Sequence, residues 1–149
     1  ALALIGLLNI FGTYLAGSLG QRVLKTHILA FIYFMRAVAI ALFLYFPLSD
    51  TSVYLFAMGM GVLWLSTVPP TSATVAQIFG VAHLSMLGGF IFFSHQLGSF
   101  MGVWLGGYMY DRFGSYDLVW YLAIALGVFA ATVNLMVREA PISRELAHA

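Results

Sequence analysis

The chain has 149 residues, 62% of them hydrophobic and 7% charged, with a formal net charge of +1 and a mean hydropathy of +0.99. A soluble domain carries roughly 25% charged residues, so this composition cannot cover a water-facing surface and argues against a soluble enzyme. The near-neutral balance gives no reason to expect nucleic-acid binding, and the lack of cysteine excludes zinc–thiolate chemistry.

A spanning helix needs roughly 20 mostly apolar residues. Five such stretches follow in order: residues 1–19, 28–46, 53–78, 84–110 and 118–137. Together they read as an all-α integral membrane protein, with a helical bundle over 1–137 and a polar tail over 138–149. The first stretch opens on Ala1 within an apolar run, without Met or a basic leader, and reads as the middle of a larger protein. It carries Asn9 and Tyr14, whose polar atoms either line a cavity or cross-link helices.

The second stretch holds Arg36 about nine residues from either end, hence roughly 13 Å at the helical rise. No Asp or Glu lies inside any of the five stretches. Arg36 therefore needs carbonyls, hydroxyls, water, an acid from elsewhere or an anionic solute. Two readings stand side by side: a buried tie between helices, and a direct solute contact.

The third stretch contains WLSTVPPTSATVAQ. Pro69 and Pro70 remove backbone donors, so the carbonyls of Leu65 and Ser66 are expected to lose their helical partners. Bare backbone at membrane depth is tolerated only against protein or a water-filled cavity. The expectation is a kink, either structural or lining a cavity, with Thr67 and neighbouring hydroxyls nearby and Trp64 as an aromatic wall or a packing residue.

The fourth stretch, with SHQLGSFMGVWLGGYMYDRFGSY at its end, is the most informative. His95 shares a helical face with Gly88, Ser99, Gly102 and Gly106. It can serve proton coupling or simply bond a neighbouring helix; Gln96 points to another face and suits an interhelix hydrogen bond. Gly98, Gly102 and Gly106 form a GxxxGxxxG ridge suited to close packing. Asp111 and Arg112 follow as an outer cap or gate, and a Gly-Ser turn leads into the fifth stretch.

Arg22 and Lys25 after the first stretch, with Arg138 and Arg144 after the fifth, set four basic residues against Arg112 alone on the opposite side. That bias puts the C-terminus in the cytoplasm. No HExxH, GxSxG, Walker or Cys-His spacing occurs, so no catalytic set, metal site or cofactor is expected.

With these residues in view, the chain resembles the C-terminal half of a major facilitator superfamily transporter, a resemblance that covers nearly all of it. GTYLAGSLGQRVLK resembles the family's cytoplasmic loop motif, although Gly17 or Gln21 stands where that motif has an acid. WLSTVPPTSATVAQIFG resembles the tenth helix, and SHQLGSFMGVWLGGYMYDRFGSYDLVW the eleventh, most closely in bacterial transporters akin to the monocarboxylate and oxalate/formate branch. The resemblance implies a missing N-terminal half and a small organic solute bound between the halves. It further implies a bacterial inner-membrane location, and symport with protons or antiport by exchange. It raises His95, Trp64, Thr67, Asn9 and Tyr14 as cavity residues, with Gln96 and Ser99 behind them, and lowers Arg36 to a helix tie. The alternative function is a membrane sensor or assembly protein that keeps the fold without transporting.

Overall fold

A computed structural model describes residues 2–141. Six helices follow in order: α1 (Leu2–Leu19), α2 (Lys25–Tyr45), α3 (Asp50–Leu63), α4 (Val68–Phe79), α5 (Leu84–Phe113) and α6 (Asp117–Met136). No strand occurs among the described residues. Leu2–Leu19, Lys25–Tyr45, Asp117–Met136 and the pair α3–α4 taken as one run, Asp50–Phe79, are each long and apolar enough to cross a membrane. α5 has 30 residues, but Gly, Ser, His and Gln dilute its apolar content. The chain is an all-helical integral membrane bundle, and the bilayer is its surroundings.

Local sequence explains the helix limits. Ser49 caps α3 in a reciprocal box: its hydroxyl accepts from the Ser52 amide at 3.1 Å, and the Ser49 amide donates to the Ser52 hydroxyl at 2.9 Å. Pro69 and Pro70 occupy the first turn of α4, where a missing N–H leaves nothing unsatisfied. Gly114, at φ +67°, closes α5 with its amide donating to the Tyr110 carbonyl at 2.8 Å. α5 therefore runs past residue 110, and Asp111 and Arg112 lie in its last turn rather than beyond it. Gly80, at φ +83°, turns the chain out of α4 toward a single 3-10 turn, Val81–His83.

Two helix pairs form the body of the bundle. α1 lies on α3, and α2 lies along α6, with α2 also touching α3 and α4. Glycine sets the closeness of both pairings. A Cβ on Gly12 would fall 2.6 Å from the Ser66 hydroxyl, and one on Gly61 would fall 2.9 Å from the Ile5 backbone. Gly127 of α6 rests against α2, where a Cβ would meet that of Ala37 at 3.1 Å. At the far end of α2, Phe43 stacks on Phe56 with centroids 4.4 Å apart, and Trp120 sits edge-on to Phe56 at 6.4 Å. α5 is the least embedded helix: Gly106 is its one buried residue among those described.

Candidate functional site

The third crossing is interrupted between α3 and α4, at residues 64–67. A helix end leaves carbonyls without amide partners, and hydrocarbon offers no water to replace them. Side chains take that role here. The Arg36 Nε donates to the Leu63 carbonyl at 3.1 Å, while its Nη2 donates to the carbonyls of both Leu63 and Trp64. The Ser66 hydroxyl, buried, donates to the Val62 carbonyl. On the opposite side of the break, the Leu65 amide donates to Asn9 Oδ1 at 2.9 Å.

The break lies just upstream of the prolines, which fit the first turn of α4. Two details differ from the sequence expectation. The carbonyls that Arg36 engages are those of Leu63 and Trp64, while the Leu65 carbonyl is taken by the Val68 amide at 3.0 Å. The hydroxyls near the kink turn back on their own chain: Thr71 donates to the Thr67 carbonyl at 2.6 Å and Thr74 to the Pro70 carbonyl at 2.8 Å.

Arg36 thus meets backbone rather than a carboxylate, and its guanidinium also lies 5.6 Å from the Tyr33 ring centroid. Its planar fork suits two adjacent carbonyls, and its charge sits at the negative end of α3. Asn9 is half-buried and bonded, Tyr14 is exposed, Trp64 is 55% exposed and Thr67 is half-buried. Asn9 thus bonds the break at Leu65 and Trp64 lies within it, whereas Tyr14 is exposed on α1.

His95, Gln96 and Ser99 are all exposed on α5, as are Gly98 and Gly102. A Cβ built on Gly98, Gly102 or Gly106 would meet nothing within 4 Å among the described residues. The face is open inside this chain, and the break does not share it. Asp111 and Arg112 are exposed, with the Arg112 guanidinium 5.5 Å from the Tyr108 ring. No group of three or more metal-ligating side chains occurs among the described residues.

Two cavities complete the picture. An apolar groove of about 420 Å³ between α2 and α3 is walled by Leu42, Phe43, Phe46, Leu55 and Phe56, none of them a sequence candidate. A recess of about 280 Å³ lies where Gly17, Gly20 and Lys25 face Pro69 and Pro70.

One cluster has no counterpart in the sequence reading. Glu139, whose side chain is 4% exposed, accepts from the Thr26 amide at 2.6 Å and the Thr26 hydroxyl at 2.9 Å, with Lys25 Nζ 3.6 Å away. Lys25 also donates to Gln77 Oε1 at 2.7 Å, and Gln77 Nε2 donates to the Glu139 carbonyl at 2.8 Å. Burial alone would raise the Glu139 carboxyl. The donors from Thr26 and the Lys25 charge outweigh it and hold the group below the ordinary glutamate range. The sequence offers only one faint signal: helix α2 starts without a capping side chain of its own. Arg144 of the basic count lies outside the described residues.

No family model matches the chain, and no solved structure matches it. Over 140 residues it is 26% identical to the uncharacterized MFS-type transporter YcxA of Bacillus subtilis (strain 168). That match covers 91% of this chain and 34% of the relative, so the chain spans about a third of the length of the protein it resembles. The similarity extends over nearly all of this chain.

Proposed function

We propose that the chain is the C-terminal part of a secondary transporter that moves a small organic solute by alternating access. The solute class is an organic anion such as a monocarboxylate, carried with protons or by exchange. The remaining helices, outside this chain, would supply the other wall of the solute path. The observation that carries this reading is the face of α5. Polar groups facing lipid are costly, yet His95, Gln96 and Ser99 are exposed on a helix long enough to span. Such a face needs protein or a water-filled cavity against it, and the similarity to a transporter supplies the context for both. The five crossings, the cytoplasmic placement of the tail and the inner membrane belong to the same proposal; Lys25 and the helix-end cluster around Glu139 would then lie on the cytoplasmic side. The glycine ridge of α5 is assigned to packing against those outer helices.

The test is uptake by the membrane protein containing this sequence, reconstituted in proteoliposomes and offered a panel of organic acids. We expect accumulation under an inward proton gradient or against a preloaded counter-solute. His95→Gln should lower pH-driven uptake more than exchange; equal loss of both removes the proton role from His95. Normal insertion with no flux of any organic acid would favour the sensor or assembly reading over transport.

A further inference from the structure

The backbone from Val62 to Leu65 is held at every residue by a side chain. Ser66 takes the Val62 carbonyl, Arg36 takes the carbonyls of Leu63 and Trp64, and Asn9 takes the Leu65 amide. These groups come from three elements: α1, α2 and the break itself. The two outer helices grip opposite polarities of the same short segment, Arg36 as donor and Asn9 as acceptor. Neither group meets a charged partner, since Lys25–Glu139 is the ion pair found among the described residues.

The prolines do not account for this arrangement. In the first turn of α4 they need no amide partner and are compatible with a helix starting there. They do not call for a cation from α2 or an amide from α1. The approach of α1 is itself built: Gly12 has no side chain where the Val62 carbonyl and Ser66 hydroxyl pass, which brings Asn9, three positions earlier on the same face, onto Leu65. Close approach, charge and hydrogen-bond polarity all converge on one joint.

We propose that Arg36 and Asn9 are positioning residues that set the angle between α3 and α4, and so place Trp64 and Thr67 along the solute path. The second clause rests on the transporter reading; the first does not. Arg36 acts through the backbone it holds, and the solute needs no contact with it.

These 149 residues contain no cysteine, so the joint can be labelled selectively once any cysteine outside them is replaced by serine. Leu55→Cys and Phe79→Cys put spin labels on exposed positions either side of the break. Their separation can then be read in liposomes by pulsed electron resonance, without any solute. We expect one narrow distance distribution in the labelled parent. Asn9→Leu and Arg36→Met should broaden it. Arg36→Lys, which can serve a carbonyl but not as a planar fork, should give an intermediate width. Insertion and monodispersity are checked first; if Arg36→Met does not fold, Asn9→Leu and Arg36→Lys decide. An unchanged distribution in those inserted variants overturns the joint. Uptake by the same proteins separates the two clauses. We expect several-fold slower flux in the variants with broadened distances. Unchanged flux despite broadened distances removes the positioning role in transport and leaves the joint. A parent that moves no solute, with label distances that still respond, overturns the transporter reading and not the joint.

Discussion

Gly12 shows how one residue decides a helix interface. Its missing side chain is occupied by the backbone of α3, where the Val62 carbonyl and Ser66 hydroxyl pass. Gly12→Ala forces either α1 or the break to move, an overpacking cost of about 1–3 kcal/mol or more. We expect a clearly lower thermal unfolding midpoint in detergent for Gly12→Ala, with Gly6→Ala on the same helix as the control because its Cβ would meet nothing within 4 Å. Equal midpoints for the two variants would contradict the packing described. Arg36 carries the opposite lesson. Its need for a partner other than a carboxylate of the five stretches was legible from the sequence, with carbonyls one choice among hydroxyls, water, an outside acid and an anionic solute. Which carbonyls was not legible, since that depends on where α3 stops, and α3 stops a turn before the prolines.

At the scale of elements, helix existence followed from apolar length, and the boundaries moved only by a few residues where caps intervened. α2 begins at Lys25 rather than at residue 28 because Glu139 satisfies its first turn from a distance of 113 residues in sequence. No local pattern encodes such a cap. Its energetics can be tested. The carboxylate accepts two hydrogen bonds at a helix N-terminus, beside a lysine, which favours the ionised form. Glu139→Gln should cost on the order of 1–3 kcal/mol, read as a lower unfolding midpoint at neutral pH. The native carboxyl is held below its ordinary value, so its stabilisation is full above roughly pH 4.3, the unfolded glutamate value. It is lost as pH falls through the lower native value. Midpoints measured downward from pH 7 should show this acid-side decline in the parent and a shallower one in Glu139→Gln. Parallel curves would count against the cap. The glycines divide similarly: the repeated spacing in α5 was easy to see, yet within this chain the close approaches are made by the isolated Gly12, Gly61 and Gly127. A glycine's partner lies across the fold, and periodicity along one helix does not reveal it.

Across the whole molecule, α1 with α3 and α2 with α6 make two tight pairs, joined by α2's contacts with α3 and α4. Arg36 and Asn9 reach the break from one member of each pair, and Glu139 draws the end of α6 onto the starts of α2 and the end of α4. α5 stands apart, with His95, Gln96 and Ser99 exposed. The bundle is therefore firm where its own helices meet and open along one helix.

The clamp at the break also bears on how the protein enters the membrane. The ribosome makes Asn9 and Arg36 before the backbone they bind. When α2 first reaches the bilayer, its guanidinium has no carbonyls to hold, and an arginine at the helix centre costs roughly 2.5–3.5 kcal/mol on insertion scales. α3 and α4, of 14 and 12 residues, are each shorter than the roughly 20 needed to span. They enter as a jointed whole, so α2 and the third crossing depend on one another during synthesis. A nascent chain ending at residue 48 should integrate its second helix less efficiently than one ending at residue 83, as read by glycosylation or protease mapping, and Arg36→Leu should abolish the difference. Equal integration at both lengths would show that the arginine finds other shelter while it waits.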